Sequence, residues 1–108
     1  MPKSLLIHTI QYEEHEDTRG GAGFKKSIDI RHVLFQPKES TKKTSESTEV
    51  LVMGTIFIDQ VHSTYKKPLV KGSRITWQDS YGNKKRMIVE EVQPIYTNRL
   101  HHYEITVI

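Results

Sequence analysis

The sequence predicts an all-β fold, a small antiparallel β-barrel or sandwich of about six strands with one long polar loop. Short runs of apolar and aromatic residues recur along the chain, and several of them alternate with the two-residue period of a strand. Clusters of Gly, Pro, Asn, Asp and Ser separate the runs, and none has the spacing of a convincing amphipathic helix. The 108 residues suit one domain, which we expect to span residues 1–108.

Six segments have the composition of strands: residues 5–12, 24–35, 50–59, 73–78, 84–92 and 103–108. The continuous apolar run of the third segment, with Gly54 inside it, predicts a central strand with a bulge or tight bend. The fourth and fifth segments form a hairpin, and the fifth should bulge near Glu90-Glu91 so that Val92 stays covered. Pro37 should end the second strand and Pro94 the fifth, because proline has no N–H to donate to a ladder.

Two polar stretches separate the first three strands. Residues 13–17 are acidic apart from His15, and residues 18–23 contain three glycines, so we expect a loop there. Residues 38–49 contain no apolar residue, and a twelve-residue polar insert is unusual in a small domain. Such inserts are typically functional or disordered, which makes this the most informative loop of the chain.

Composition limits the class of protein. Hydrophobic residues make up 35% of the chain and charged residues 27%, so we expect a small core. The absence of cysteine excludes disulfides, thiolate zinc sites and cysteine nucleophiles. Leu5-Leu6-Ile7 is too short for a signal peptide, and no run approaches the roughly 18–20 apolar residues of a membrane span. We therefore expect a soluble protein, with no membrane partner, that acts where it is synthesised.

The charge is mildly basic, with a net value of +3 and a pI near 9.2, which permits contact with DNA without requiring it. Two clusters contain much of the positive charge: Lys66, Lys67, Lys71 and Arg74 in one, and Lys84, Lys85 and Arg86 in the other. If the predicted hairpin brings the clusters together, they form one basic patch for phosphates or an acidic partner. The equally weighted alternative is a set of scattered, solvated side chains.

The chain has no convincing catalytic or metal-binding motif. Among the six histidines, His101 and His102 are adjacent, so on a strand they should point to opposite faces and not easily bind one ion. The pairs Glu13-Glu14 and Glu90-Glu91 fit surface charge better than acid–base catalysis, which needs carboxylates with separated pKa values. Nucleophile-elbow, Walker and His-Glu-x-x-His motifs are absent. We therefore expect a non-enzymatic protein without catalytic residues, metal or cofactor.

Five stretches, in order along nearly the whole chain, have the character of one family: Leu5-Leu6-Ile7-His8-Thr9-Ile10 with Tyr12-Glu13-Glu14, Gly54-Thr55-Ile56-Phe57-Ile58-Asp59 with His62-Ser63, Gly72-Ser73-Arg74-Ile75-Thr76-Trp77, Val89-Glu90-Glu91-Val92, and His101-His102-Tyr103-Glu104 with residues 105–108. Together they resemble the minor capsid proteins of tailed phages and prophages of Gram-positive bacteria. The segment 24–49 is the least similar part.

This resemblance implies a structural protein of the virion, specifically the head-closure, or stopper, component of the head–tail connector. Such a protein is a small β-barrel, assembled in the cytoplasm of the bacterial host as a homo-oligomeric ring. The ring lies below the portal and adaptor proteins and above the tail proteins. A loop from each subunit projects into the central channel and helps to retain the packaged double-stranded DNA.

Two sets of site residues follow as hypotheses from that role. The polar stretch 38–49 is the candidate channel-facing loop, with these residues near DNA or neighbouring copies: Lys38, Thr41, Lys42, Lys43, Thr44 and Ser45. Deleting residues 41–47 should then leave the fold intact and make filled heads leak DNA. The candidate subunit interface joins acidic and basic residues of adjacent copies: Glu13, Glu14, Glu16 and Asp17 on one side, and Lys66, Lys67, Lys71 and Arg74 on the other.

Two other functions remain open from the sequence. The first is a neighbouring role in the same joint, as a tail-completion or adaptor protein. The second is a monomeric nucleic-acid-binding barrel of the oligonucleotide-binding or SH3-like kind, which should carry stacked aromatic side chains on one face. Aromatic residues make up only 8% of the chain, and Trp77 and Phe57 occupy positions with a core pattern, so the connector is preferred.

Overall fold

The structure is a computed structural model that describes residues 2–18, 21–43 and 49–108. A single 3-10 turn, Lys3–Leu5, precedes the strands, and no α-helix occurs in these residues. The eight strands are β1 His8–Glu13, β2 His15–Thr18, β3 Gly21–Phe24, β4 Ile28–Lys43, β5 Glu49–Asp59, β6 Arg74–Gln78, β7 Lys84–Tyr96 and β8 Leu100–Val107. The prediction of an all-β fold is confirmed.

Six of the strands close into an antiparallel barrel in the order β1-β4-β5-β8-β7-β6, with β6 pairing back onto β1. The remaining two, β2 and β3, form a separate hairpin. Because every neighbour in the barrel is antiparallel, β1, β5 and β7 run one way and β4, β6 and β8 run the other. One end, the hairpin end, therefore contains the β4–β5 and β6–β7 connections. The other, the loop end, contains the β2–β3 hairpin, residues 60–73 and the β7–β8 turn.

The core follows from two-residue alternation. Alternate residues of β5 and β8 are buried, and the exposed fraction of Ile56, Ile58 and Ile105 is zero. The same alternation buries Ile10, Ile30 and Ile75 from the other half of the barrel. Since the faces opposite these residues are polar or half-exposed, the apolar pattern fixes which face of these strands points inward. β4 is an exception, because its inward face changes from Ile30 to Val33 and Phe35 across His32, whose φ is +58°.

Gly54 is needed for close packing where β5 meets β4. It pairs with Pro37, and a Cβ atom at Gly54 would lie 2.5 Å from the backbone oxygen of Gln36 and 2.6 Å from the Phe35 ring. The ladder shifts register beside this pair, between Pro37 and Ser40. A bulge was predicted at Gly54 itself, and the structure places the irregularity on the opposite strand.

Pro37 and Pro94 were predicted to end strands, but β4 continues to Lys43 and β7 to Tyr96. β1 pairs with β4 only as far as Val33, and β6 pairs with β7 only as far as Ile88. Each proline therefore lies where its strand has a neighbour on one side only, and its missing N–H breaks no ladder bond. The predicted bulge at Glu90-Glu91 is confirmed, since the β7–β8 register shifts between Val89 and Glu91.

The stretch predicted as a first loop, residues 13–23, instead contains the last residue of β1, all of β2 and, in residues 21–23, most of β3. Residues 19 and 20 of that prediction lie outside the described residues. Backbone hydrogen bonds hold a ladder whatever the polarity of its side chains. The barrel also anchors the β2–β3 hairpin: the His15 N–H donates to Ser73 Oγ at 2.8 Å, and the Arg74 guanidinium lies 4.2 Å from the centre of the Phe24 ring. Contacts with the barrel therefore order a segment whose composition alone predicted a loop.

Candidate functional site

The β4–β5 hairpin continues past the closed barrel as a two-stranded arm. In the arm, which we call the ribbon, residues 38–43 of β4 face residues 49–53 of β5, with Ser40 opposite Val52 and Lys43 opposite Glu49. Neither neighbour of the hairpin accompanies it there, because β1 pairs no further than Val33 and β8 begins pairing only at Gly54. Five residues of strand reach roughly 16 Å at about 3.3 Å each. The ribbon is therefore a projection from the hairpin end.

The predicted channel loop maps onto this ribbon. Lys38 lies in β4 with an exposed side chain, and the backbones of Thr41, Lys42 and Lys43 pair with Leu51, Val50 and Glu49. Thr44 and Ser45 lie outside the described residues. The structure thus differs from the expected long loop: residues 38–43 and 49 are strand, because ladder pairing with an apolar β5 extends into the polar sequence.

The acidic and basic stretches predicted at the subunit interface meet within one chain at the loop end. Arg74 pairs with Glu13 across β1 and β6, with 3.7 Å between guanidinium and carboxylate. Glu14 instead pairs with Lys25 at 2.6 Å, and the hydrogen bond from Lys25 lowers the pKa of Glu14 below its usual value. The same bond raises the pKa of Lys25. Both pairs are solvated, so their contribution to stability is small.

The other predicted interface residues are more available. The Asp17 side chain is 91% exposed, at 3.8 Å from the His15 ring nitrogen, and Glu16 is half-buried. Lys66, Lys67 and Lys71 are exposed on the loop end. An intersubunit contact between these two groups stays a prediction.

The two basic clusters adjoin at one point and otherwise extend towards opposite ends of the barrel. Arg86 pairs with Thr76, two residues along β6 from Arg74, a diagonal position within reach of long side chains. Arg74 begins β6 and pairs with Ile88, whereas Lys84 begins β7 and pairs with Gln78, four residues further along β6. Four residues of strand correspond to roughly 13 Å. The cluster of Lys66 to Arg74 therefore lies at the loop end, and the cluster of Lys84 to Arg86 lies towards the hairpin end.

The turn between β6 and β7, which the sequence predicted as the turn of a hairpin, is held by its own hydrogen bonds. The Asp79 carboxylate accepts hydrogen bonds from the N–H groups of Tyr81 and Asn83, both at 2.9 Å, and from the Asn83 side chain at 3.3 Å. Gly82 adopts a φ of +86°, which favours glycine, and its N–H donates to the Asp79 carbonyl at 3.1 Å. Asp at the first and Gly at the fourth position is a sequence signature of such turns. The turn holds Tyr81 outward, with 89% of its surface exposed.

His8 supports the hairpin end from the inside. Its Nδ1 accepts the Phe35 N–H at 2.9 Å, and its ring lies edge-on to Trp77 with 5.7 Å between centres. Trp77 also contacts Phe35, at 4.9 Å between ring centres. Burial lowers the pKa of His8, consistent with a neutral ring whose proton is on Nε2. No sequence pattern distinguished this histidine from the other five.

His101 and His102 contact each other, contrary to the expectation that they point apart. Their Nδ1 atoms are 2.8 Å apart, and His102 Nε2 lies 3.1 Å from a Glu104 carboxylate oxygen. They lie at the start of β8, next to an irregular register in β7, where strand alternation is weakest.

In the described part of the chain, no three His, Asp or Glu side chains form a cluster suited to a metal ion. No described helix is long and apolar enough to cross a bilayer.

The most exposed aromatic residues are dispersed. Tyr81 lies at the hairpin end, while Tyr96, 66% exposed, and Phe24, 38% exposed, lie at the loop end. Trp77 is half-buried against the core, as its pattern predicted, but Phe57 faces outward beside His102. The described residues therefore provide no row of exposed aromatics of the kind that stacks the bases of a single strand.

A comparison with protein families identifies the chain. A family model described as Minor capsid protein matches residues 2–107, a segment that includes all eight strands. Searches of curated proteins and of solved structures found no match. The match over almost the full length shows that the chain belongs to the minor capsid protein family, which indicates a structural, non-enzymatic role in the phage particle.

Proposed function

We propose that this minor capsid protein is the head-closure, or stopper, component of the phage head–tail connector. In this role it forms a homo-oligomeric ring below the portal and adaptor and above the tail, and it retains the packaged double-stranded DNA. The ribbon is the observation that carries the proposal, because it extends a lysine-containing hairpin beyond a closed barrel. Membership of the family supports a place in the virion.

The ribbon suits a channel-facing element for a geometric reason. Closing the barrel pairs its first and last strands, so the sheet has no edge strand that is free along its whole length. The ribbon lacks a third strand among the described residues, and such two-stranded arms are only marginally stable alone in water. The ribbon would therefore be stabilised by contacts with neighbouring subunits. A ring places one ribbon from every subunit around the same axis, where such contacts form.

The lysine side chains of the ribbon are groups that can bind the phosphates of DNA. Lys38, Lys42 and Lys43 lie along it, and a ring repeats each of them once per subunit. Single contacts between lysine and phosphate are weak and sensitive to salt, but repetition around a ring makes them additive. The ring therefore retains DNA through many modest contacts.

The decisive experiment shortens the ribbon while keeping its register. Replacing residues 41–51 by Asn-Gly joins the paired residues Ser40 and Val52 through a two-residue hairpin turn. We expect particles that still package DNA but release it, measured as the nuclease-sensitive fraction of DNA in purified filled heads. Deleting residues 41–47 alone is less suitable, because it removes one strand and leaves the partners of that strand unpaired.

A second variant separates the reach of the ribbon from its charge. Lys42→Gln with Lys43→Gln keeps the hairpin length and removes two charges per subunit. We expect this variant to retain packaged DNA less well than wild type but better than the shortened chain. Retention unchanged in both variants would contradict the channel-facing role.

Location in the particle tests the position in the connector. A small tag on the subunit should appear by electron microscopy at the head–tail joint, above the tail proteins. A tag elsewhere in the particle would exclude the stopper, and a tag below the joint would favour the tail-completion role.

A further inference from the structure

We propose that the β6–β7 turn is a second DNA-binding element, which contacts the phosphate backbone of duplex DNA through Tyr81, Lys84, Lys85 and Arg86. This site, which we call the tip, lies outside the ribbon. The inference rests on the proposed function for the identity of the duplex, which is the packaged DNA. Its physical basis is the position, rigidity and charge of the tip.

Position is set by the direction of the strands. β4 and β6 run the same way, so the connections that follow them, to β5 and to β7, emerge from the same end of the barrel. The ribbon and the tip therefore face the same space. If the ribbon meets DNA in the channel, the tip is on the side of the subunit that faces it.

Rigidity comes from Asp79. Its carboxylate is engaged by two backbone N–H groups and by the Asn83 side chain, and these bonds define the shape of the turn. The pKa of Asp79 is lowered first by the Asn83 N–H, with Tyr81 N–H and the charge of Lys85 adding to the effect. The Asp79 carboxylate is thus used inside the turn. A preformed turn loses little conformational entropy when it binds.

Charge and exposure define what the tip can bind. Lys84, Lys85 and Arg86 are consecutive and exposed, and within the described residues none of them makes an ion pair. Tyr81 adds a hydroxyl donor at the most exposed point of the turn. Cations together with a tyrosine hydroxyl are the groups that proteins use on phosphate oxygens. One tyrosine cannot stack the successive bases of a single strand. The phosphate backbone of a duplex is therefore the better ligand for the tip.

The test measures binding of the full chain to a fluorescent duplex oligonucleotide as a function of salt concentration. Lys84→Gln, Lys85→Gln and Arg86→Gln are combined in one variant. The matched control combines Lys25→Gln, Lys26→Gln and Arg99→Gln, which removes the same charge from the loop end outside the candidate subunit interface. We expect the tip variant to bind at least tenfold more weakly at about 50 mM salt, and the slope of log K against log[salt] to fall by about 0.9 for each phosphate that is no longer neutralised. The control should stay within about twofold of wild type.

Tyr81→Phe tests the hydroxyl separately. Removal of one neutral hydrogen bond to phosphate should weaken binding severalfold without changing the salt slope, because no counterion is released at that group. Circular dichroism spectra identical to wild type establish that each variant is folded.

Three outcomes would overturn the inference. The first is that wild type does not bind the duplex at low salt. The second is that binding is weakened equally in the tip variant and in the loop-end control. The third is that wild type binds a single strand of the same length more tightly than the duplex. None of them depends on where the chain lies in the particle. If the tag is found at the head–tail joint and one of these outcomes is also observed, only the DNA-binding role of the tip is contradicted, and the stopper role is not.

Discussion

At the scale of single residues, His8 links the protonation of one ring to the stability of the hairpin end. Its Nδ1 accepts the Phe35 N–H, and this bond requires the neutral ring. Burial places the pKa of His8 in the folded chain below its ordinary value of 6.5. The unfolded chain therefore binds a proton more readily, and protonation favours unfolding.

We expect the contribution of His8 to be complete above about pH 6.5 and to decline as the pH falls towards the pKa of the folded state. Urea unfolding between pH 7.5 and about pH 5 should show a steeper loss of stability for wild type than for His8→Asn, whose side-chain oxygen can accept the same N–H. His8→Leu leaves that N–H without its acceptor and should cost about 1–3 kcal/mol throughout the range. Parallel pH profiles for wild type and His8→Asn would show that His8 does not titrate in this way.

At the scale of elements, the β4–β5 contact depends on the absence of a side chain at Gly54. We expect Gly54→Ala to lower the free energy of unfolding by about 1–3 kcal/mol, because the new methyl group meets backbone and a buried ring that have little room to move. Chemical denaturation measures the change.

Gly23→Ala is the matched control for this prediction. Gly23 lies in β3, and a Cβ atom there meets nothing within 4 Å, so its free energy of unfolding should change by less than about 0.5 kcal/mol. Equal effects at both positions would contradict the role of the close approach to β4, because Gly→Ala on its own lowers the entropy of the unfolded chain and should not destabilise the fold.

At the scale of the whole molecule, the barrel has two unlike ends, and the loop end remains the candidate for contacts between subunits. Glu13 and Glu14 are already engaged within the chain by Arg74 and Lys25. The exposed Asp17, with Glu16 beside it, is therefore the better acidic partner for Lys66 and Lys67 of an adjacent copy.

Reversing Lys66 and Lys67 to Glu should reduce incorporation of the subunit into particles, and adding Glu16→Lys with Asp17→Lys should restore it. Incorporation is measured by quantitative immunoblotting of purified particles. Reversal of Lys26 and Arg99 to Glu, two exposed residues outside the candidate interface and outside the tip, is the control for charge alone. No rescue by the paired reversal would rule out this contact.

The sequence by itself determined the fold class and the inward face of barrel strands such as β5 and β8. Residues such as Ile56, Ile58 and Ile105 alternate with polar neighbours, and burial of apolar surface permits only one orientation of such a strand. It also placed the bulge near Glu90-Glu91, because Val92 needed to stay covered. These features depend on residues close together in the chain.

Only the tertiary structure decided the candidate surfaces. Polar residues 38–43 become strand because β5 offers them a ladder, and the β2–β3 hairpin is ordered by contacts from Ser73 and Arg74. Likewise, the positions of the two basic clusters and the shared end of ribbon and tip follow from strand direction and register. The physical reason is that backbone hydrogen bonds and contacts between distant residues do not depend on local composition, so no pattern in the sequence records them.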